Sequence, residues 1–340
     1  MLTLSVLDQS PIPSGSSAAQ AVRETIALAQ AAERLGYRRY WLAEHHNTSA
    51  LAGSTPEILI SQVAAHTSTI RVGSGGVMLS HYSSLKVAEN FRMLHTLFPG
   101  RIDLGIGRAP GSDQLTALAL QHGPGALGIE HFAEQIADLL SYLNDGLGPE
   151  HPFAGVRAMP SGPGAPDVWV LGSSGQSAAY AAHFGLPFSF AHFINPVHGP
   201  RAVAGYRARF RPAAPLDEPR ANIGVSVICA ETAEEAERQA SSLQLWRLRL
   251  EQGDPGPVPS VDEALHYPYT DLERARMAQN RRRVVVGDPE QVRLELCALA
   301  AEYDVDEVVV VTICHDPAAR LRSYELLART FELRADGSEA

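Results

Sequence analysis

An α/β fold of the (β/α)8 TIM barrel type, carrying loop insertions, is what this sequence predicts, and three observations lead to it. Short β-type runs alternate with helical patterns from end to end, which implies a parallel sheet. Eight such strand runs can be counted, each expected to be followed by a helix. A length of 340 residues with 45% hydrophobic side chains suits one such barrel better than a doubly wound sheet.

The elements follow in order. Leu2, Leu4 and Val6 alternate with Thr3 and Ser5, a strand that ends at Asp8. Val22, Ile26 and Ala29 share one helical face, and Gly36 is placed to end that helix. Tyr40 to Ala43 reads as the second strand, and the next helix starts near Pro56, a first-turn position that needs no N–H. Ile70 to Val77 is the third strand, Val87, Phe91, Leu94 and Phe98 mark the third helix, and Arg101 to Ile106 is the fourth strand. Phe132, Ile136, Leu139 and Leu143 define a helix before the strand Val168 to Leu171. Ser177 to Phe184 is helical, Pro187 to Ala191 and Ile223 to Cys229 are strands, and a long helix runs to about Leu250. Val292, Leu296, Leu299 and Tyr303 keep helical spacing, Glu307 to Ile313 is the last strand, and Leu321, Tyr324, Ala328 and Phe331 close the chain as a helix. Two Pro/Gly-rich stretches, Gly146 to Pro166 and Gly253 to Pro268, separate no complete cores. Residues 1–340 therefore read as one domain with insertions near 146–166 and 253–283.

Composition narrows the function. The chain carries 28 basic and 38 acidic side chains, a net charge of −10, and its one run of cations is Arg281-Arg282-Arg283. A polyphosphate surface wants clustered cations, so nucleic acid is not the expected partner. Lys86 is the one lysine, so Schiff-base chemistry would fall to it alone. Cys229, Cys297 and Cys314 are far apart, without the CxxC spacing of a zinc ribbon, and sit in apolar contexts that suit inert core thiols. The N-terminus lacks a charged region followed by a long apolar one, and no stretch approaches a membrane span. A cytoplasmic globular protein is expected.

In a barrel the chemistry belongs at the C-terminal ends of the strands. After the second strand stands Glu44-His45-His46-Asn47. Neighbouring residues on a strand point to opposite faces, so at most one of the two histidines faces the barrel mouth. Three readings are open for this segment: a metal site, a polar loop, or an imidazole held by a carboxylate for proton transfer. Gly73-Ser74-Gly75-Gly76 ends the third strand, either as a tight turn or as a surface a flat ligand can approach. Arg108, after the fourth strand, is either a surface arginine or a rim group for a phosphate. Leu171-Gly172-Ser173-Ser174-Gly175-Gln176 opens into a helix, as an ordinary serine cap or as an anion cradle. No G-x-S-x-G nucleophile elbow is present.

Taken together, Leu7-Asp8-Gln9-Ser10-Pro11, Tyr40 to Asn47, Val72 to Leu79, Gly100 to Gly111 and Leu171 to Gly175 resemble the bacterial luciferase-like monooxygenase superfamily. The tail from Val286-Gly287-Asp288-Pro289-Glu290 through Leu327 resembles it too. The likeness is strongest over the first 112 residues and weakest at 146–166 and 253–283. It implies a barrel that binds reduced FMN delivered by a separate reductase, or in some branches the deazaflavin F420. It further implies that O2 and a small organic substrate react there, in a homodimer. By position, His45 takes the catalytic histidine's place near the flavin ring and Glu44 lies beside it. Gly75 and Gly76 fall where a cis peptide underlies the ring, Arg108 and the Leu171–Gln176 turn fall on the phosphate, and His192 falls near the ring. One departure is plain: the reactive cysteine of the luciferases is Gly107 here, so light emission is not implied. Three rival readings stand beside this one: F420-dependent hydride transfer, a non-catalytic flavin-binding protein, and a metal-dependent hydrolase. The site is expected to hold no metal.

Overall fold

The computed structural model describes residues 2–109, 113–121, 128–144, 146–254 and 256–335; Pro110 and Gly111 of the segment after the fourth strand lie outside them. The strands are β1 (Thr3–Asp8), β2 (Arg39–Leu42), β3 (Arg71–Met78), β4 (Ile102–Gly107), β5 (Asp167–Gly172), β6 (Phe188–Ala191), β7 (Ala221–Cys229), β8 (Val284–Gly287) and β9 (Glu307–Val311). Strands β1 to β7 neighbour one another in sequence order, and β9 pairs with both β7 and β1. These eight close a parallel barrel, the eight expected from sequence. The extra strand, β8, joins the C-terminal half of β7, Val284 beside Ser226 through Gly287 beside Cys229.

Around the barrel run α1 (Ala18–Arg34), α2 (Pro56–Ala65), α3 (Ser84–Leu97), α4 (Gln114–Leu120), α5 (Phe132–Leu143), α6 (Gly175–Phe184) and α7 (Gly199–Arg209). They continue with α8 (Ala233–Glu251), α9 (Val261–His266), α10 (Asp271–Asn280), α11 (Pro289–Tyr303) and α12 (Pro317–Thr330). No helix among the described residues is long and apolar enough to cross a membrane. The stretch 146–166 is irregular as expected, but the second insertion is not all loop, since α9 and α10 lie in it. Ser260 caps α9, and Thr270 with Glu273 forms a capping box on α10. Local caps rather than an apolar stripe start these helices, which is why a search for helical periodicity passes over them.

Strand parity sorts the side chains into two layers. Leu4, Val6, Tyr40, Leu42, Leu104, Val170 and Val308 point outward into the helix layer, a continuous apolar core. Their neighbours Ser5, Arg39, Trp41, Asp103, Trp169 and Glu307 are buried on the opposite face, in the barrel lumen. The lower lumen is filled by charge. Arg39 donates to Asp103 at 2.7 Å and to Glu307 at 2.6 Å, Ser5 donates to Glu307 at 2.6 Å, and Trp41 Nε1 donates to Asp103 at 2.9 Å. Arg71 reaches the other Asp103 oxygen at 2.5 Å. Buried charges survive only when paired and hydrogen-bonded, and here each has at least two partners. Above this plug Trp41 and Trp169 meet edge to face, ring centroids 5.3 Å apart. Beyond them the cavity-facing positions become small: Gly75, Gly107, Ser189, Ala191 and Gly224. The lumen is thus solid at the N-terminal end of the strands and open at the C-terminal end.

Candidate active site

The open end holds a cavity of about 360 Å³, within the range of small-ligand pockets. Its floor is Leu7, Trp41 and Val309, and one wall is the end of β3. The Gly75–Gly76 peptide in that wall is cis. A Cβ on Gly75 would lie 2.6 Å from Leu7 Cδ1, and one on Gly76 would lie 2.8 Å from the Gly105 carbonyl oxygen. Both positions exclude a side chain, and the wall facing the cavity is bare backbone.

The opposite end is built for an anion. Ser174 caps α6 by accepting from the Ser177 amide at 3.4 Å, leaving the first-turn amides of Gly175 and Gln176 without intrahelical acceptors. Asn195 donates to the Ser173 carbonyl at 3.0 Å and fastens the turn. Arg108 crosses from the end of β4 to donate to the Gln176 side chain. It makes no ion pair with a described acid, so its remaining donors join the positive end of the α6 dipole.

His45 sits between these two features. Its Nδ1 is buried with no hydrogen-bond partner among the described residues. Burial, aided by the neighbouring His46, pushes its pKa down to about 4, so the ring is neutral near pH 7. Glu44, by contrast, faces away from both cavity and solvent. Its carboxylate accepts from the Met78 amide at 3.0 Å and from the Tyr82 hydroxyl at 2.7 Å, and it pairs with His46 Nε2 at 2.8 Å. It holds the end of β3 against the end of β2 and keeps His46 out of this cavity, although His46 joins His45 in the wall of a neighbouring one, so both histidines reach the open end.

Of the residues singled out in sequence, His45, Gly75, Gly76, Arg108, Leu171, Gly172, Ser173 and Ser174 line this one cavity. Gly175 and Gln176 stand just behind it in the first turn of α6. Glu44 and His192 are not among its lining residues. The buried His192 ring instead shares a 2.8 Å hydrogen bond with the Tyr303 hydroxyl. Sequence reasoning missed Gln9, Trp41, Met78, Phe193 and Ile194, all in the wall. Trp41 shares the strand parity of Arg39, Ala43 and His45, and that alternation is the signal that could have found it.

A second, larger cavity of about 690 Å³ adjoins the first, and Gln9, His45, Phe193 and Ile194 belong to both walls. One wall is the C-terminal part of α8, with Trp246 and Leu250, and another is Val311 at the end of β9 and Ile313 beyond it. The site therefore comprises two connected chambers, with His45 on their common boundary.

Residues 2–306 match the family described as luciferase-like monooxygenase. The chain belongs to that family. The N-acetyl-S-alkylcysteine monooxygenase of Bacillus subtilis strain 168 is 38% identical over 330 residues, covering 96% of this chain and 98% of its own. The solved structure of apo-MsnO8 shares 42% identity and a TM-score of 0.90, covering 98% and 99% of the two chains. A more distant structure, of a type II Baeyer–Villiger enzyme from Pseudomonas putida, shares the fold. It is the oxygenating constituent of 3,6-diketocamphane monooxygenase in complex with FMN, at 20% identity and TM-score 0.70 over 97% of each chain. Membership of this monooxygenase family accords with the barrel and with the open end described above.

Proposed function

We propose that the chain is a flavin-dependent monooxygenase that uses reduced FMN, delivered by a separate reductase, and O2 to oxygenate a small organic substrate. One observation carries the reading: a bare-backbone wall, a neutral buried histidine and an anion cradle meet in a single cavity. The residues present fit the cofactor. Arg108 and the Ser173 to Gln176 turn would hold its phosphate, Gly75 and Gly76 would lie against its ring, and the unpartnered Nδ1 of His45 leaves a polar atom to be satisfied. Bound reduced FMN supplies the electrons and the oxygen-activating centre. The chain's own part is to bind, orient and keep water out. Trp41 in the floor and Phe193 and Ile194 at the boundary are apolar, and His45, neutral near pH 7, accepts or relays a proton at Nδ1. The same proposal takes residues 1–340 as one barrel domain that acts as a homodimer.

Anaerobic titration with reduced FMN, followed by admission of oxygen, tests the reading. Saturable binding and oxygen-dependent flavin reoxidation are expected. In Arg108→Ala, FMN affinity should fall about 10- to 100-fold, the worth of a charge-assisted hydrogen bond, while riboflavin affinity stays level. Failure to bind FMN in either redox state would sink the proposal, and F420 would then be titrated in its place.

A further inference from the structure

Arg247 lines the larger chamber and has no part in the flavin reading. It lies on α8 about one turn before the helix ends, and its side chain faces the chamber. Its guanidinium has no hydrogen bond or ion pair with any described residue. Burial first, and then nearby Arg283, lower its pKa to about 10 against the opposing pull of Glu251. Glu251 is in fact committed elsewhere. It accepts from Arg276 at 2.6 Å and from Asn280 at 3.1 Å, while Arg283 stands 4.0 Å away. Across the chamber the Asp113 carboxylate is held by Asn47 at 3.0 Å and by the Thr116 hydroxyl at 2.6 Å, and His46 is held by Glu44 at 2.8 Å. The end of the α8 dipole favours a cation here, but that partial charge does not replace the hydration a half-buried guanidinium gives up. The rest of the wall is largely apolar, with Leu51, Trp246, Leu250, Val311 and Ile313, interrupted by the polar side chains of Gln9, Thr48 and Ser226.

We propose that Arg247, with Arg283 beside it, anchors the carboxylate of an organic acid whose apolar body runs past Phe193 and Ile194 toward His45. Arg247 and Arg283 line the larger chamber and not the flavin cavity, whereas His45, Phe193 and Ile194 line both. The acid group is therefore held away from the common boundary, and the end remote from it is the end that meets the flavin. This substrate class rests on the flavin reading for its chemistry, but not for its binding.

The test uses two matched pairs of probes, octanoate with octanamide and phenylacetate with phenylacetamide, by calorimetry on full-length protein with and without FMN. The wild type should bind each acid at least tenfold more tightly than its amide. Arg247→Met should erase that preference, Arg247→Lys should retain part of it, and FMN affinity should be the same in all three. Acids bound no better than amides by the wild type, or a preference that survives Arg247→Met, overturns the proposal. So does a loss of FMN or F420 affinity in Arg247→Met, which would assign the arginine to the cofactor. The wild-type comparison in cofactor-free protein stands even if Arg247→Met fails to fold. An acid preference without any FMN binding would uphold the anchor and refute the flavin reading, so the two failures are distinct.

Discussion

His45 is set apart by its burial and by an Nδ1 that has no hydrogen-bond partner among the described residues. Because burial and His46 hold its pKa near 4, the ring carries no charge above about pH 5 in the folded chain. An unfolded histidine titrates near 6.5 (about), so the folded state binds fewer protons below that value. The contribution of His45 to stability is full above about pH 6.5 and is lost as pH falls toward 4. Proton NMR of the imidazole should give a midpoint near 4, and one at or above 6.5 would contradict this placement. Strand alternation in the bare sequence allows only one of His45 and His46 to face the barrel mouth, and the family resemblance is what gave that place to His45. The task of Glu44 was not, because its partners Met78 and Tyr82 stand 34 and 38 residues further along and meet it only after β2 and β3 pair. His192 shows the same limit, since its partner Tyr303 is 111 residues away.

Among the elements, α8 and the insertion that follows it act as one piece. Ser242 on α8 donates to the Pro259 carbonyl at 2.6 Å, Trp246 Nε1 donates to the Gly256 carbonyl at 3.1 Å, and Val258 exchanges backbone hydrogen bonds with the loop after β1. Arg249 pairs with Glu263, and Arg276 of α10 pairs with Glu251. Ser242 is fully buried and lines neither chamber. Ser242→Ala leaves the Pro259 carbonyl buried without a donor and should cost about 1–3 kcal/mol. A urea midpoint reads that loss, and FMN affinity should not move; an unchanged midpoint would show that the strap contributes nothing. The eight barrel strands were legible as short runs, some apolar throughout like Val308 to Val311 and others alternating like Leu2 to Val6, each set between helical patterns. The strand β8 has only four residues after three arginines, and α9 and α10 are short and mostly polar. Their stability comes from capping and from docking on α8, and neither leaves a periodic trace.

For the molecule as a whole, the decisive contact joins its two ends. Asp8, at the end of β1, accepts from Arg320 of α12 at 2.6 Å, from Tyr40 at 2.5 Å and from the Ser10 amide at 2.7 Å, all fully or nearly buried. Burial works to raise the Asp8 pKa, but Arg320, Tyr40 and Ser10 outweigh it and hold it below the usual carboxylate value. A group with a depressed folded pKa stabilises above its unfolded value, near 4 (about), and that contribution is lost as pH falls below it. Asp8→Asn leaves Arg320 buried and unmatched. It should cost about 3–5 kcal/mol at pH 7 and flatten the fall in stability on acidification. Equal acid sensitivity in the variant and the parent would refute this account. The count of eight strand–helix units could be read from the sequence, but the charges that plug the lumen could not: Arg39, Asp103 and Glu307 come from three distant strands. That plug has a consequence for traffic. With one end stoppered by Arg39 and its carboxylates, the barrel is a vessel with a single door, and both chambers fill and empty on the face that carries His45.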